Sequence, residues 1–237
     1  MRILAIDTST GSASVALLRY TDIVAEVFLN LSTNHSITLL PIVEKICLTS
    51  GISIEEMDLF VCTVGPGSFT GIRIGMSTVK GFAFATGKPV VGVSTLDTLA
   101  WNLAGAGISV CPMLDARRHQ VYTAFYKPDK NNMLEQQGEA MAVEIDSFLP
   151  LLEGEVMFLG DGAIRYSGII NEKLPGKAHF AVGLQNQIRA SMAGILGEKK
   201  YRNGEPADSI SLVPRYLRLS EAEARKNKGL PEANMRS

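Results

Sequence analysis

From Thr70 to Thr86 the chain carries only two charged side chains, Arg73 and Lys80, spaced i, i+7. Ile72, Ile74, Met76, Val79, Phe82 and Phe84 occupy most of the remaining helical surface. A helix that is apolar nearly all round has to be buried on more than one side. Gly71 and Gly75 each cost ~1 kcal/mol relative to alanine inside a helix, so they imply a packing reason. They form a small groove that another helix can approach closely. The second buried side belongs either to the chain's own core or to a partner protein, and this segment alone leaves both open. Gly65-Pro66-Gly67-Ser68 breaks the chain before the helix, and Gly87 and Pro89 punctuate its end.

The other elements follow from periodicity. Residues 2–7 (RILAID) read as a buried strand ending in an acid, and Ser14–Leu18 and Ile23–Leu29 as consecutive antiparallel strands. Residues 34–50 have helical spacing on a wide apolar face, with a kink or late start expected at Pro41. Strands are expected at 59–64, 89–93, 108–115, 119–126 and 156–160. Helices are expected from Ser94 to about Ala104, at 146–153 and at 184–201, with a tight turn at Gly160-Asp161-Gly162. Strands alternating with helices after an opening meander argue for an α/β chain with mixed sheets. Asp7 and Asp115 both close a strand before a polar turn, an offset of 115 − 7 = 108 residues. Duplicated lobes explain that echo, and so does chance.

Composition narrows the function classes. A 237-residue chain with 46% hydrophobic and 20% charged residues affords one large domain or two small lobes. Lys plus Arg is 23 against 24 Asp plus Glu, which excludes a globally basic nucleic-acid coat and a polybasic membrane anchor. Arg117, Arg118, Arg215 and Arg218 remain candidates for a local basic patch or for ordinary surface charge. Cys47, Cys62 and Cys111 lie far apart in apolar runs, as buried free thiols do. Asp7 interrupts the first apolar run, and no run approaches the ~20 residues of a membrane span, so a soluble cytoplasmic protein is expected.

The loops supply candidates for chemistry. Asp7-Thr8-Ser9-Thr10-Gly11 sets a strand-end carboxylate beside hydroxyls, which suits a metal–phosphate or simply a capped turn. Gly65-Pro66-Gly67-Ser68-Phe69-Thr70-Gly71 lacks the Gly-Lys-Ser/Thr ending of a P-loop and the spacing of a dinucleotide fingerprint. Its backbone N–H groups can receive an anion, although a structural turn serves equally. Asp115-Ala116-Arg117-Arg118-His119 is a polar cluster after a strand. His35, His119 and His179 share no metal-site spacing, and no G-x-S-x-G elbow occurs.

Taken together, IDTST, NHSITLLP, GPGSFTGIRIG and KPVVGVSTLDTLA, followed by LDARRHQVY, LGDG and PRYLR, resemble the bacterial TsaB (YeaZ) family of tRNA threonylcarbamoyladenosine biosynthesis, over nearly the whole chain. The resemblance implies an actin/Hsp70/sugar-kinase-like (ASKHA) fold of two ribonuclease-H-like lobes. The first lobe would span 1–105, with about 205–225 packing back on it; the second would span 106–204, and 220–237 would be a frayed tail. It also implies a catalytic paralogue, TsaD, as heterodimer partner, an ATPase, TsaE, and contact with tRNA through the complex. The paralogue's metal-binding H-x-x-x-H falls where Thr95 and Leu99 stand here. Neither residue replaces an imidazole as a ligand, so no catalytic residue and no metal site are expected. The expected role is a non-catalytic scaffold or activator. Its docking face would lie on the helices around 34–50 and 69–86, through His35, Leu39, Ile42, Ile46, Gly71, Ile72, Gly75, Met76 and Val79, and homodimers would form when the partner is absent. Asp7, Thr8, Ser9, Asp115, Gly160, Asp161 and Gly162 would be remnants of nucleotide loops. No cofactor is expected to bind the isolated chain tightly, with ATP or ADP placed at the complex interface. A small-molecule kinase or ATPase of the same fold is the alternative, and a metallopeptidase comes third.

Overall fold

A computed structural model describes residues 1–30 and 34–218. The chain opens with strands β1 (Arg2–Asp7), β2 (Ala13–Arg19) and β3 (Asp22–Leu29), then helix α1 (His35–Ser50), β4 (Leu59–Thr63), α2 (Phe69–Thr86), β5 (Val90–Val93) and α3 (Thr95–Ala100). It continues through β6 (Ser109–Asp115), β7 (Gln120–Pro128), β8 (Leu134–Glu144), α4 (Ile145–Phe148), β9 (Val156–Leu159), α5 (Asp161–Arg165), α6 (Ser167–Lys173), β10 (Ala178–Phe180) and α7 (Ala190–Arg202).

Two five-stranded mixed sheets result, ordered β3-β2-β1-β4-β5 and β10-β9-β6-β7-β8. In each, an antiparallel meander continues into two parallel strands. The two sheets therefore share one topology, and Asp7 and Asp115 end corresponding strands, β1 and β6. β1 reads as an unbroken apolar run because both its faces are covered. Leu4 and Ile6 pack with Leu39, Ile46, Ile72 and Val79 of α1 and α2. Ile3 and Ala5 pack with Ala190, Ala193 and Leu196 of α7.

The packing also crosses between the two halves expected from sequence. α7 lies within the segment 106–204, yet it covers the first sheet, because small residues let it sit close. A Cβ on Gly194 would come 2.5 Å from Leu18 Cδ1, and one on Gly197 2.5 Å from Val61 Cγ2. Conversely α3, within 1–105, sends Leu96, Leu99 and Ala100 into a cluster with Val110, Leu114 and Tyr122 of the second sheet. Each half thus lends its last helix to the opposite sheet. The C-terminal segment then crosses both: Leu212 is buried in the α1–α2 core and Leu217 packs on the second-sheet cluster. Val90 N–H donates to Ala207 O (3.1 Å), and Arg215 N–H to Val64 O (2.7 Å). The expected frayed tail at 220–237 lies outside the described residues.

Other differences are local. α1 begins at His35, capped by Asn34, whose side chain accepts from Ser36 N–H, and runs through Pro41 without the late start. The polar run 134–144 gave no strand signal, because β8 is an edge strand with most side chains exposed. α5 and α6 follow the 160–162 turn, and the helix expected from 184 begins at Ala190 after a 3-10 turn at Gly183–Asn186.

Candidate functional site: the inter-sheet cleft and the outer helix face

The loops singled out by sequence converge. A cavity of about 610 Å³ opens between the ends of β1 and β6, walled by the 9–11 turn, His35, the start of α2, residues 114–118, Tyr122, Asp161 and Arg218. Asp7 sits beneath this wall and is fully buried. Its Oδ1 accepts from Ser9 N–H (3.2 Å), Ser9 Oγ (2.6 Å) and Thr63 Oγ1 (2.6 Å), while Oδ2 has no partner among the described residues. Burial pushes the Asp7 carboxyl above its ordinary range, and the hydroxyl and amide donors oppose that shift. Thr63 is a neighbour of Asp7 that sequence reasoning missed; its signal was a hydroxyl ending the strand beside β1.

Asp115 is committed to its own loop. It accepts from Arg117 N–H (3.0 Å) and Tyr166 OH (3.4 Å), and it pairs with Arg165 at 3.4 Å and Arg117 at 3.8 Å. Asp161 Oδ1 accepts Asp115 N–H (3.0 Å), and burial raises its pKa. Gly160 and Gly162 have a packing role: a Cβ on either would meet the β6 backbone, at Met113 O (2.3 Å) and Leu114 C (2.9 Å). His35 Nε2 donates to Thr10 O (2.7 Å), tying the start of α1 to the 9–11 turn. Arg118 also lines the cleft, and Arg218 Nη1 donates to Ala116 O (2.7 Å). Tyr216 stacks on Phe69 with ring centroids 4.3 Å apart, at the start of α2.

Gly71 and Gly75, expected near the centre of a docking face, pack closely against this chain's own backbone and side chains. A Cβ on Gly71 would lie 2.0 Å from Thr8 O, and one on Gly75 2.5 Å from Thr8 Oγ1. Thr8 Oγ1 donates to Gly71 O at 2.7 Å. The small groove therefore seats this chain's own 8–11 turn, not a second helix. Leu39, Ile42, Ile46, Ile72, Met76 and Val79 are buried in the same core, and His35 alone of the nine expected residues is half-buried. The apolar surface left over lies on the opposite side of the helices. Ile37, Leu40 and Leu48 of α1 stand exposed, and Phe84 of α2 is 91% exposed. A second groove of about 640 Å³ is lined by Leu40 and Leu48 of this set together with Val43, Ile52 and Phe82, with Glu44, Glu55 and Glu56 along it. Thr95 and Leu99 are fully buried on α3, Leu99 within the second-sheet cluster. Among the described residues, no helix is long and apolar enough to cross a membrane.

A protein of Bacillus subtilis described as tRNA threonylcarbamoyladenosine biosynthesis protein TsaB is 37% identical over 95% of this chain and 97% of its own length. The chain belongs to the TsaB family. A family model described as TsaD, tRNA N6-adenosine threonylcarbamoyltransferase, matches residues 23–226. The solved structure of YeaZ from Pseudomonas aeruginosa superposes with a TM-score of 0.77 at 27% identity, covering 91% of this chain and 99% of that one. A ROK hexokinase from Thermus thermophilus superposes at 0.51 with 10% identity, over 86% of this chain and 100% of the other. That likeness shows the fold alone, and with the paired sheets it makes this TsaB-family chain an actin/Hsp70/sugar-kinase-like α/β protein.

Proposed function

We propose that the chain is a non-catalytic scaffold or activator subunit in tRNA threonylcarbamoyladenosine biosynthesis. It docks on a TsaD-type catalytic partner through the outward side of α1 and α2 and helps recruit the ATPase TsaE, acting in the cytoplasm. The observation that carries this reading is the exposed apolar set Ile37, Leu40 and Leu48 of α1, of which Leu40 and Leu48 line the groove together with Phe82 of α2. Contiguous exposed apolar surface on a folded chain marks an interaction site. An interface of ordinary size, ~1,200–2,000 Å² in total, would cover it. The same surface makes a homodimer when the partner is absent.

Non-catalytic status is supported by Thr95 and Leu99, buried residues at the positions that the family resemblance matches to the catalytic paralogue's metal-binding histidines. The kinase or ATPase alternative draws on fold neighbours such as the hexokinase, but at 10% identity that likeness speaks to architecture only. Of the two strand-end carboxylates it would use, Asp7 is turned under Ser9 and Thr63, and Asp115, which lines the cleft, is paired with Arg165 and Arg117. ATP or ADP belongs, on this reading, to the interface of the complex.

The test pairs Ile37→Glu with Leu48→Glu in the full chain. Both positions are exposed, so stability should change by no more than ~0.5 kcal/mol. Retention of TsaD from the same organism on the tagged chain should fall, and tRNA modification reconstituted from purified components should fall with it. Undiminished retention and modification would overturn the docking face; modification at full rate with this chain omitted would overturn the role.

A further inference from the structure

A third cavity, of about 210 Å³, lies where α3 and α7 meet, away from the cleft and from the outer face of α1 and α2. Tyr126, in its wall, pairs with Val110 near the start of β6, whereas Asp115 at the cleft ends that strand. The two places are 115 − 110 = 5 residues apart, ~17 Å of strand. Val93, Leu134 and Leu196, all buried, give the cavity an apolar floor.

Two charges of opposite sign line the same cavity, and neither is neutralised. Asp97 Oδ1 accepts from Tyr126 OH at 2.5 Å, a donor without charge. Lys200 is the cation whose field acts most on Asp97, yet it is held by Glu205 (3.0 Å) and by Gly92 O (3.3 Å). Burial raises the Asp97 pKa, and the Tyr126 bond, Lys200 and Arg215 oppose that rise. A carboxylate withdrawn from water without a paired cation costs free energy that an incoming ammonium would offset. Lys199 is the converse case. Its ammonium rests over the Trp101 ring, 5.1 Å from the centroid, and pairs with no carboxylate among the described residues. The indole holds that ammonium in place and leaves its charge uncancelled.

We infer that this cavity binds a small aliphatic amino acid, with its ammonium on Asp97, its carboxylate on Lys199 and its side chain against Val93, Leu134 and Leu196. The lining holds two acids, Asp97 and Glu205, and two cations, Lys199 and Lys200, so a ligand carrying both signs fits it better than a net cation or anion. A bare amine would face Lys199 with nothing to offer it, and a bare carboxylate would meet Asp97; each is disfavoured by repulsion. About 210 Å³ lies below the ~300–1,000 Å³ range of drug-sized sites, which restricts the occupant to a small metabolite. Because α3 covers the second sheet and α7 the first, a ligand held by Asp97 and Lys199 ties the two halves together.

The experiment is calorimetric titration of the full chain at neutral pH with L-valine, with isobutylamine and with isovalerate, the last two lacking the carboxylate and the ammonium respectively. L-Valine should saturate one site and raise the melting temperature as its concentration rises. Loss of one charge-assisted contact weakens binding about tenfold or more, so both analogues should bind at least about tenfold more weakly than L-valine. Lys199→Met keeps the aliphatic stem over Trp101. It should weaken L-valine about tenfold and leave isobutylamine unchanged. Asp97→Asn keeps an acceptor for Tyr126 OH and should weaken L-valine and isobutylamine alike. Lys199 is exposed, so its variant keeps the fold and decides the matter if the Asp97 variant melts early. No saturable binding of L-valine up to about 10 mM, an analogue that binds as tightly as L-valine, or undiminished L-valine binding by Lys199→Met would each overturn the proposal. None of these results bears on retention of TsaD.

Discussion

Gly71→Ala and Gly81→Ala, ten residues apart on α2, should move stability in opposite directions. Gly81 is exposed, and a Cβ there meets nothing within 4 Å. Replacing it removes the helix penalty of glycine, ~1 kcal/mol, and should raise Tm by ~2–4 °C for a chain of this length. At Gly71 the same methyl group would lie 2.0 Å from Thr8 O, a backbone atom. The 8–11 turn would have to retreat by about 1.4 Å or more to reach ordinary contact. It is held where it is by the bond from Ser68 N–H to Ser9 O (2.7 Å) and by Thr8 Oγ1 on Gly71 O (2.7 Å). Overpacking costs ~1–3 kcal/mol and the lost hydrogen bond ~1 kcal/mol, against ~1 kcal/mol regained in helix propensity. The net loss is ~1–3 kcal/mol, a fall in Tm of at least ~2 °C. Paired thermal and urea melts of the two variants measure it. A Gly71→Ala chain as stable as the wild type, or more so, would refute the assignment of this glycine to the Thr8 seat and return it to an open groove.

Asp7 and the thiols give two further expectations. Burial raises the Asp7 pKa, so the folded state holds its proton more tightly than the unfolded chain; that contribution is full below the unfolded value near ~3.9 and is lost as pH rises through the folded one. Urea midpoints of wild type and Asp7→Asn from about pH 4 to pH 8 should therefore show the wild type losing ground to the variant as pH rises, and a gap that moves the other way would contradict the buried, proton-retaining carboxyl. Burial pushes Cys62 and Cys111 up to about 12, whereas Cys47 is only half-buried. Mass spectrometry after brief alkylation of the native chain should find Cys47 modified first, and early labelling of Cys62 or Cys111 would count against the packing of β4 and β6.

Much of the local architecture was legible in the residues. The continuous apolar run of β1, the spacing of the meander, and Ser68 and Gly87 at the ends of α2 each act over a few positions, and each appears where expected. The missed elements had weak signals for stated reasons. β8 is a polar edge strand, and β10 has three residues. The nine residues expected to form a docking face illustrate a different ambiguity. An apolar face of a helix reads the same whether its cover is the chain's own turn or another protein, and only the 2.0 Å approach of Thr8 O to Gly71 tells them apart.

Hydrophobic periodicity, turn chemistry and the absence of imidazole at positions 95 and 99 belong to the sequence, because each depends on residue type and on neighbours a few positions away. Tertiary structure decided which sheet each helix covers, sending α3 to the second and α7 to the first. It also decided which loops meet: Asp7 and Asp115, 108 residues apart, end strands that flank one cavity. Contacts of that separation are selected by shape and by the area each alternative would bury, quantities that no single stretch of chain carries.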